Sequence, residues 1–334
     1  MKASLLILLL TLALNATEHF FNYSDITAPG EITEFPANFG SFRKSISFSG
    51  ALNALSRQSY RPNINEFQTD AAPAQIEPRV LSSGLGQSWG GWGFVIKNDV
   101  EKIKLLSETL ESTAESRAIE VHLGAGLKLD PNWNIGWGIS INNDQEIKTE
   151  ILTNTASTDM PIQFHNNEFE TFSTRAGFGY LYETESVILG MHLQTPKVKL
   201  RQQGTIKSRA WSVSQNQVIK SDTKQDLELI SNWDLDLGVK FGTSGFTYSI
   251  SDTYHFAGTH EVKGGFEFVG SWGRISTGLS RHQKSNQSEV SWSLGFCRSE
   301  KGFDWGVGPF YKILKDTLVD RDEVGILYSS QINY

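Results

Sequence analysis

Seven charged or titratable residues, Lys128, Arg175, His192, Asp234, Asp236, Lys240 and Arg274, fall at one parity within stretches of alternating sequence. Successive side chains of a strand point to opposite faces, so these seven are expected on a single face. A Lys or Arg there can hold a carboxylate through charge-assisted hydrogen bonds, Arg through two at once. The other reading is that mixed charges on a wet inner face pair with one another. Lys128, Arg175, His192 and Arg274 are the candidate ligand-binding residues. Arg175 and His192 stand foremost because one hairpin separates them on the same expected face.

Other constellations are weaker. His255 and His260 are five apart, not a helical metal pair, and no His-Glu-x-x-His segment exists, so no metal site is expected. The glycines between Gly84 and Gly93 precede no strand-to-helix transition and read as the entry to a strand. A single cysteine, Cys297, excludes an intrachain disulfide and Cys-cluster metal centres. Nothing points to a nucleophile, so neither catalysis nor a cofactor is expected.

The elements that would position these residues are strands. Val121, Leu123, Ala125, Leu127 and Leu129 alternate with His122, Gly124, Gly126 and Lys128. Trp133, Ile135, Trp137, Ile139 and Ile141 alternate with Asn134, Gly136, Gly138 and Ser140. The pattern returns around Phe178, Leu189, Leu237, Tyr248, Trp292 and Trp305, and ends with Val324 to Tyr334. Alternation alone also fits a soluble sandwich. Here the second face is Gly- and Ser-rich rather than covered by Lys, Glu and Thr, as expected when bulk faces lipid and small polar groups line a lumen. Trp133, Tyr182, Trp233, Tyr254 and Trp305 lie near strand ends, where interfacial aromatic girdles form.

The start, Met1-Lys2 followed by Leu5 to Leu14 and Ala16, has the form of a secretory signal over residues 1–16. No later run reaches the roughly 20 apolar residues of a spanning helix. With 37 acidic and 30 basic residues the net charge is −7, so nucleic acid is not an expected partner. Short connections at 130–132, 183–185, 242–245, 270–272 and 299–302 alternate with long ones near 143–167, 196–232, 256–261, 281–288 and 314–323. This is the order of tight periplasmic turns and larger outside loops. Twelve strands are counted from Trp89 onward, or fourteen if residues 42–52 add to the wall. The expected fold is thus all-β, a transmembrane antiparallel up-and-down barrel over 89–334 in the bacterial outer membrane. Both termini are expected in the periplasm. Residues 17–88 hold five of the nine prolines and read as an irregular, hatch- or plug-like segment. Val100, Ile103, Leu106 and Leu110 have helical spacing, so 98–117 reads as a short amphipathic helix in an outside loop, with a strand extension as the alternative.

The final strand, ending on Tyr334 with apolar residues at alternate positions back to Ile326, resembles the end signal of bacterial outer-membrane barrels. GLKLDPNWNIGWGISI at 126–141, GFGYLYETESVILGMHLQTPKVKL at 177–200 and WDLDLGVKFG at 233–242 resemble the FadL and toluene-transporter family of long-chain fatty acid channels. Thr195-Pro196 matches its Ser/Thr-Pro step. Two features depart: Ala72-Pro73-Ala74 stands where an Asn-Pro-Ala step is usual, and twelve strands are counted against fourteen. The resemblance implies an N-terminal hatch and diffusion of hydrophobic molecules such as long-chain fatty acids, often leaving sideways into the membrane. Its implied surroundings are outer-membrane lipid, with the chain a monomer. A structural or surface-recognition barrel and a general porin are the other functional readings.

Overall fold

The computed structural model describes residues 44–60, 79–106, 110–153, 159–225, 231–243, 245–256, 258–284, 287–316 and 319–334. These residues form sixteen strands and no helix. They are β1 (Ser45–Tyr60), β2 (Arg79–Ser88), β3 (Trp92–Leu106), β4 (Leu110–Lys128), β5 (Trp133–Thr153), β6 (Ile162–Glu183), β7 (Val187–Gln194) and β8 (Val198–Ser212). There follow β9 (Gln217–Lys224), β10 (Asp234–Thr243), β11 (Phe246–His255), β12 (Thr259–Gly270), β13 (Gly273–Lys284), β14 (Gln287–Glu300), β15 (Phe303–Asp316) and β16 (Val319–Asn333). All but β8 and β9 close an antiparallel ring of fourteen, in which β1 pairs with β16, β5 with β6, and β7 with β10. Closure pairs the backbone of every wall strand on both sides, as hydrocarbon requires. β8 and β9 form an added hairpin on the upper half of β6.

The sequence dictates the sidedness of this ring. Leu123, Leu127, Trp137, Ile139, Phe266 and Leu279 are each 52–55% exposed on its outer face. Such a belt in water would forfeit about 25 cal/mol for every Å² of apolar surface, and soluble monomers rarely carry patches of this extent. Along β4 and the residue after it the belt runs from Ile119 to Leu129, eleven residues that in a tilted strand span about 25 Å, the height of a hydrocarbon core. At the short-turn end, rings cluster: Trp89 lies on Trp92 at 4.2 Å, and Trp133 meets Tyr182 at 4.4 Å. Inside, Ser47, Asn134, Ser140, Ser173, Ser251, Ser276 and Ser293 are buried. Charges pair there too, Lys312 with Glu289 across β15 and β14 at 2.9 Å and Arg321 with Glu323 along β16.

Four expectations change. The wall starts at Ser45, not at Trp89, since β1 and β2 lie within the 17–88 segment read as a hatch. Their alternation is masked by small residues and by register shifts at Asn53/Leu55 and Ala51/Leu52. Residues 17–43 and 61–78 of that segment, and the proposed signal at 1–16, fall outside the described residues. Counting β1 and β2 makes fourteen wall strands, the larger of the two expected numbers. The described residues of 98–117 form no helix: β3 and β4 pair in unbroken register from Trp92↔Ala125 to Leu106↔Glu111. The ladder with β4 gives partners to the peptide groups on that side of β3, which outweighs an apolar spacing of helical type. The long connections at 143–167 and 196–232 are also largely strand, as β5, β6 and the β8–β9 hairpin extend well beyond the apolar belt.

Both ends of the ring lie together, because Ser45 pairs with Asn333. One ladder is locally open: between β14 and β15 no pairing is formed for Leu294 and Gly295 against Gly308 and Pro309. Proline has no amide hydrogen to donate there, while its pairing with Ile326 on the other side is kept.

Candidate functional site

The wall is interrupted next to a lumenal pocket. β7 and β8 run in the same direction along β6 as one strand broken at Thr195, Pro196 and Lys197. Gln194 pairs with Gly177 and Val198 with Thr174, so the broken strand holds one residue more than β6 across the gap. Pro196 is the residue in that step that cannot donate to a ladder. Thr195 keeps the edge in place by giving its amide to the Ala176 carbonyl at 2.8 Å and accepting the Ala176 amide on its hydroxyl at 3.0 Å. On the far side β10 pairs with β7 only as far as Asp234↔Gln194, and β9 pairs with β8 only from Lys224↔Thr205. Between these limits the described residues form no ladder; the Lys197 amide donates to Ser231 Oγ at 2.6 Å.

The pocket sits at the height of this interruption, lined by His122, Ser140, Arg175, His192 and Gln194 with Gly124, Gly138 and Gly177. Register explains the assembly. Gly124, Gly138, Gly177 and Gln194 are successive partners across β4, β5, β6 and β7, three of them without a side chain to fill the lumen. A Cβ on Gly177 would stand 2.6 Å from His192 Nε2, so the imidazole occupies the space that this glycine leaves.

A chain of polar contacts crosses the lumenal side of the gap. Arg175 donates from Nη1 to Asp234 Oδ2 at 2.9 Å, bridging β6 to β10 where β7 ends, and its Nη2 lies 3.8 Å from Glu120. Asp234 also faces His255 Nδ1 at 2.7 Å, and Glu120 lies 3.1 Å from His122. One row lower, His192 Nδ1 is 3.1 Å from Asp236 and 3.2 Å from Gln194 Nε2. The acids Glu120, Asp234 and Asp236 outnumber the permanent cations beside them, Arg175 and the buried Lys97 that faces Glu120 across β3 and β4. The guanidinium is thus already engaged by two carboxylates, and the site holds no surplus positive charge with neutral imidazoles.

Arg175 and His192 are therefore brought together, as their spacing implied. Lys128 is not with them: it is the exposed last residue of β4, at the short-turn end. Arg274 is on β13, 3.9 Å from Glu267, and does not line this pocket. The two histidines that are five apart separate to opposite faces, His255 onto Asp234 inside and His260 onto Asp252 outside at 2.5 Å. Sequence reasoning passed over His122, Ser140, Gln194, Glu120 and His255. All have inward parity, which was the available signal; what it did not disclose is where the strand breaks.

No family model matches the sequence, nor does any curated protein. Solved structures do. CymD, a monoaromatic hydrocarbon channel, aligns over 97% of this chain and 98% of its own, with a TM-score of 0.70 and 10% identity. The Pseudomonas putida toluene transporter TodX aligns over 96% of both chains, with a TM-score of 0.67 and 11% identity. A Pseudomonas aeruginosa FadL homologue covers 91% of this chain and 94% of its own, at 0.64 and 10%. Identity this low speaks for architecture, and the architecture agrees with the hairpins at 126–141, 177–200 and 233–242: the chain has the fold of the FadL and toluene-transporter barrels of the outer membrane.

Proposed function

We propose that the protein is an outer-membrane channel through which hydrophobic small molecules diffuse, without chemistry being done on them. The observation that carries this is the break in the wall at Thr195–Lys197 beside the glycine-lined pocket. A molecule in the pocket is one strand away from a stretch where the described residues form no ladder, so lateral release into the membrane needs few hydrogen bonds to yield. The monoaromatic hydrocarbon and toluene channels, with which the fold is shared, support the choice of ligand class. Because Arg175 is engaged by Asp234 and Glu120, the favoured ligand is uncharged or carries its carboxylate away from this site; a long-chain fatty acid fits the second description. The short-turn end, with both chain ends, faces the periplasm in this reading, and the barrel acts as a monomer surrounded by outer-membrane lipid.

The test is deletion of Pro196, which removes the extra residue and lets β7 run into β8 as one strand. Vesicles containing the deleted barrel should take up toluene and oleate much more slowly than those with the natural chain, while the closed barrel still forms. Large, steady ion conductance with no saturable binding of either compound would establish a general porin instead. Unchanged uptake would dissociate transport from the break.

A further inference from the structure

We propose that the outward face of the β8–β9 hairpin is a binding surface for the phosphorylated glycolipid of the outer leaflet. The chain as a whole is acidic, yet residues 198–224 contain six basic side chains and a single acid, Asp222. Register fixes which of them face outward. Phe172, whose 38% exposed ring belongs to the outer face, is paired with Arg201; from there Lys207 and Arg209 share its parity on β8, and Lys220 and Lys224 oppose Arg209 and Thr205 on β9. Arg209 is taken by Asp222, with Nη1 at 2.5 Å. Among the described residues Arg201, Lys207, Lys220 and Lys224 make no ion pair, and Arg201, Lys220 and Lys224 are exposed. Two further acids share this face, Glu168 and Glu170; Glu170 is occupied by the amides of Asn143 and Gln145. The face keeps a positive excess.

Its height gives the partner. Val198 and Leu200, 59% and 56% exposed, lie just below Arg201 in the apolar belt. Arg201 is level with the upper edge of that belt, Lys224 about 10 Å above it and Lys207 about 15 Å above it, at the rise of a tilted strand. Acyl chains packed on Val198 and Leu200 bring sugar-borne phosphates to the level of Arg201 and Lys224, where charge-assisted hydrogen bonds form to them. A zwitterionic phospholipid presents no matching excess of negative charge. No other part of the long-connection rim combines unpaired cations with an exposed apolar pair below them among the described residues.

Refolded full-length protein in detergent is titrated with lipid A and with dephosphorylated lipid A, binding being followed by tryptophan fluorescence and retained lipid by native mass spectrometry. Saturable binding of lipid A, weaker for the dephosphorylated form, is expected. Each cation near an anionic surface contributes about a fivefold effect, so Arg201→Gln, Lys207→Gln and Lys224→Gln combined should weaken binding on the order of a hundredfold. The Lys301→Gln variant, at the opposite end, should bind as the natural chain does. Equal affinity for the two lipids, an unaffected triple variant that folds normally, or full competition by inorganic phosphate at equimolar concentration would each overturn the proposal. Toluene uptake by the triple variant should be unchanged, which separates this surface from the channel.

Discussion

Two glycines face opposite constraints. At Gly177 an added methyl would meet the end of the His192 side chain, which can swing away. The Gly177→Ala barrel is therefore expected to unfold at the same urea concentration as the natural chain, yet to bind toluene several-fold more weakly as His192 is pushed from Asp236 into the pocket. At Gly308 the methyl would strike the Leu294 carbonyl, in backbone that cannot turn aside. Gly308→Ala should cost about 1–3 kcal/mol of stability, read as a lower urea midpoint, with ligand binding intact in the fraction that folds. A third residue, Asp159, clasps the β8–β9 turn. Ser214 donates its amide at 2.8 Å and Ser212 its hydroxyl at 3.1 Å to Oδ1, and the Ser214 contacts above all hold the carboxyl below its ordinary value of 3.8. A carboxyl depressed by folding stabilises above its unfolded value and loses that contribution as pH falls through the folded one. The clasp should hold at neutral pH and loosen below about pH 4, seen as faster amide exchange at Ser214; Asp159→Ala should show that fast exchange at pH 7 as well.

At the scale of elements, parity was legible and interruption was not. Leu123, Trp137 and Phe178 point outward, and His122, Ser140 and Arg175 inward, as period-2 alternation required. Alternation follows from the pleat and does not depend on what a strand's neighbours are. Breaks depend on the neighbours: whether Thr195-Pro196-Lys197 forms a turn or a bulge within a continuing strand is decided by what β6 offers opposite it, and the segment alone reads as a loop. The same holds for residues 98–117, whose helical spacing yielded to pairing between β3 and β4, and for β1, whose alternation is interrupted at Asn53/Leu55. Arg175 is a further case. Its inward direction followed from parity, but its commitment to Asp234, 59 residues away, arises only once β7 ends and leaves the two strands facing across a gap. If that contact straps the gap, Asp234→Asn should raise passive toluene flux through the reconstituted barrel, whereas the Pro196 deletion lowers it.

Over the whole molecule the wall is uneven. β4, β5 and β6 are 19, 21 and 22 residues long, against 10 for β10 and β11. One side therefore rises far above the apolar belt while the other stops near it. The β8–β9 hairpin continues the tall side, and among the described residues β9 has a neighbour only on the β8 side. Lys220 and Lys224 on that strand discourage edge-to-edge pairing with another chain. Charge-to-Gln replacement there should increase the aggregated fraction during refolding, measured by light scattering, independently of any effect on lipid binding.

The joint between β1 and β16 sets a clock on this fold. Every other pair of neighbouring wall strands except β7 and β10 is adjacent in sequence, so it can zip locally as soon as its turn forms. The β1–β16 pair brings together opposite ends of the described chain, and such a distant contact is the slowest to find. Until it forms, the sheet is a sticky open ribbon with two bare margins. Removing residues 319–334 should leave the ribbon permanently in that state, with rapid early strand formation by circular dichroism but no heat-resistant compact band on a gel. Timing, more than energy, then decides whether a newly made copy becomes a closed barrel or a precipitate.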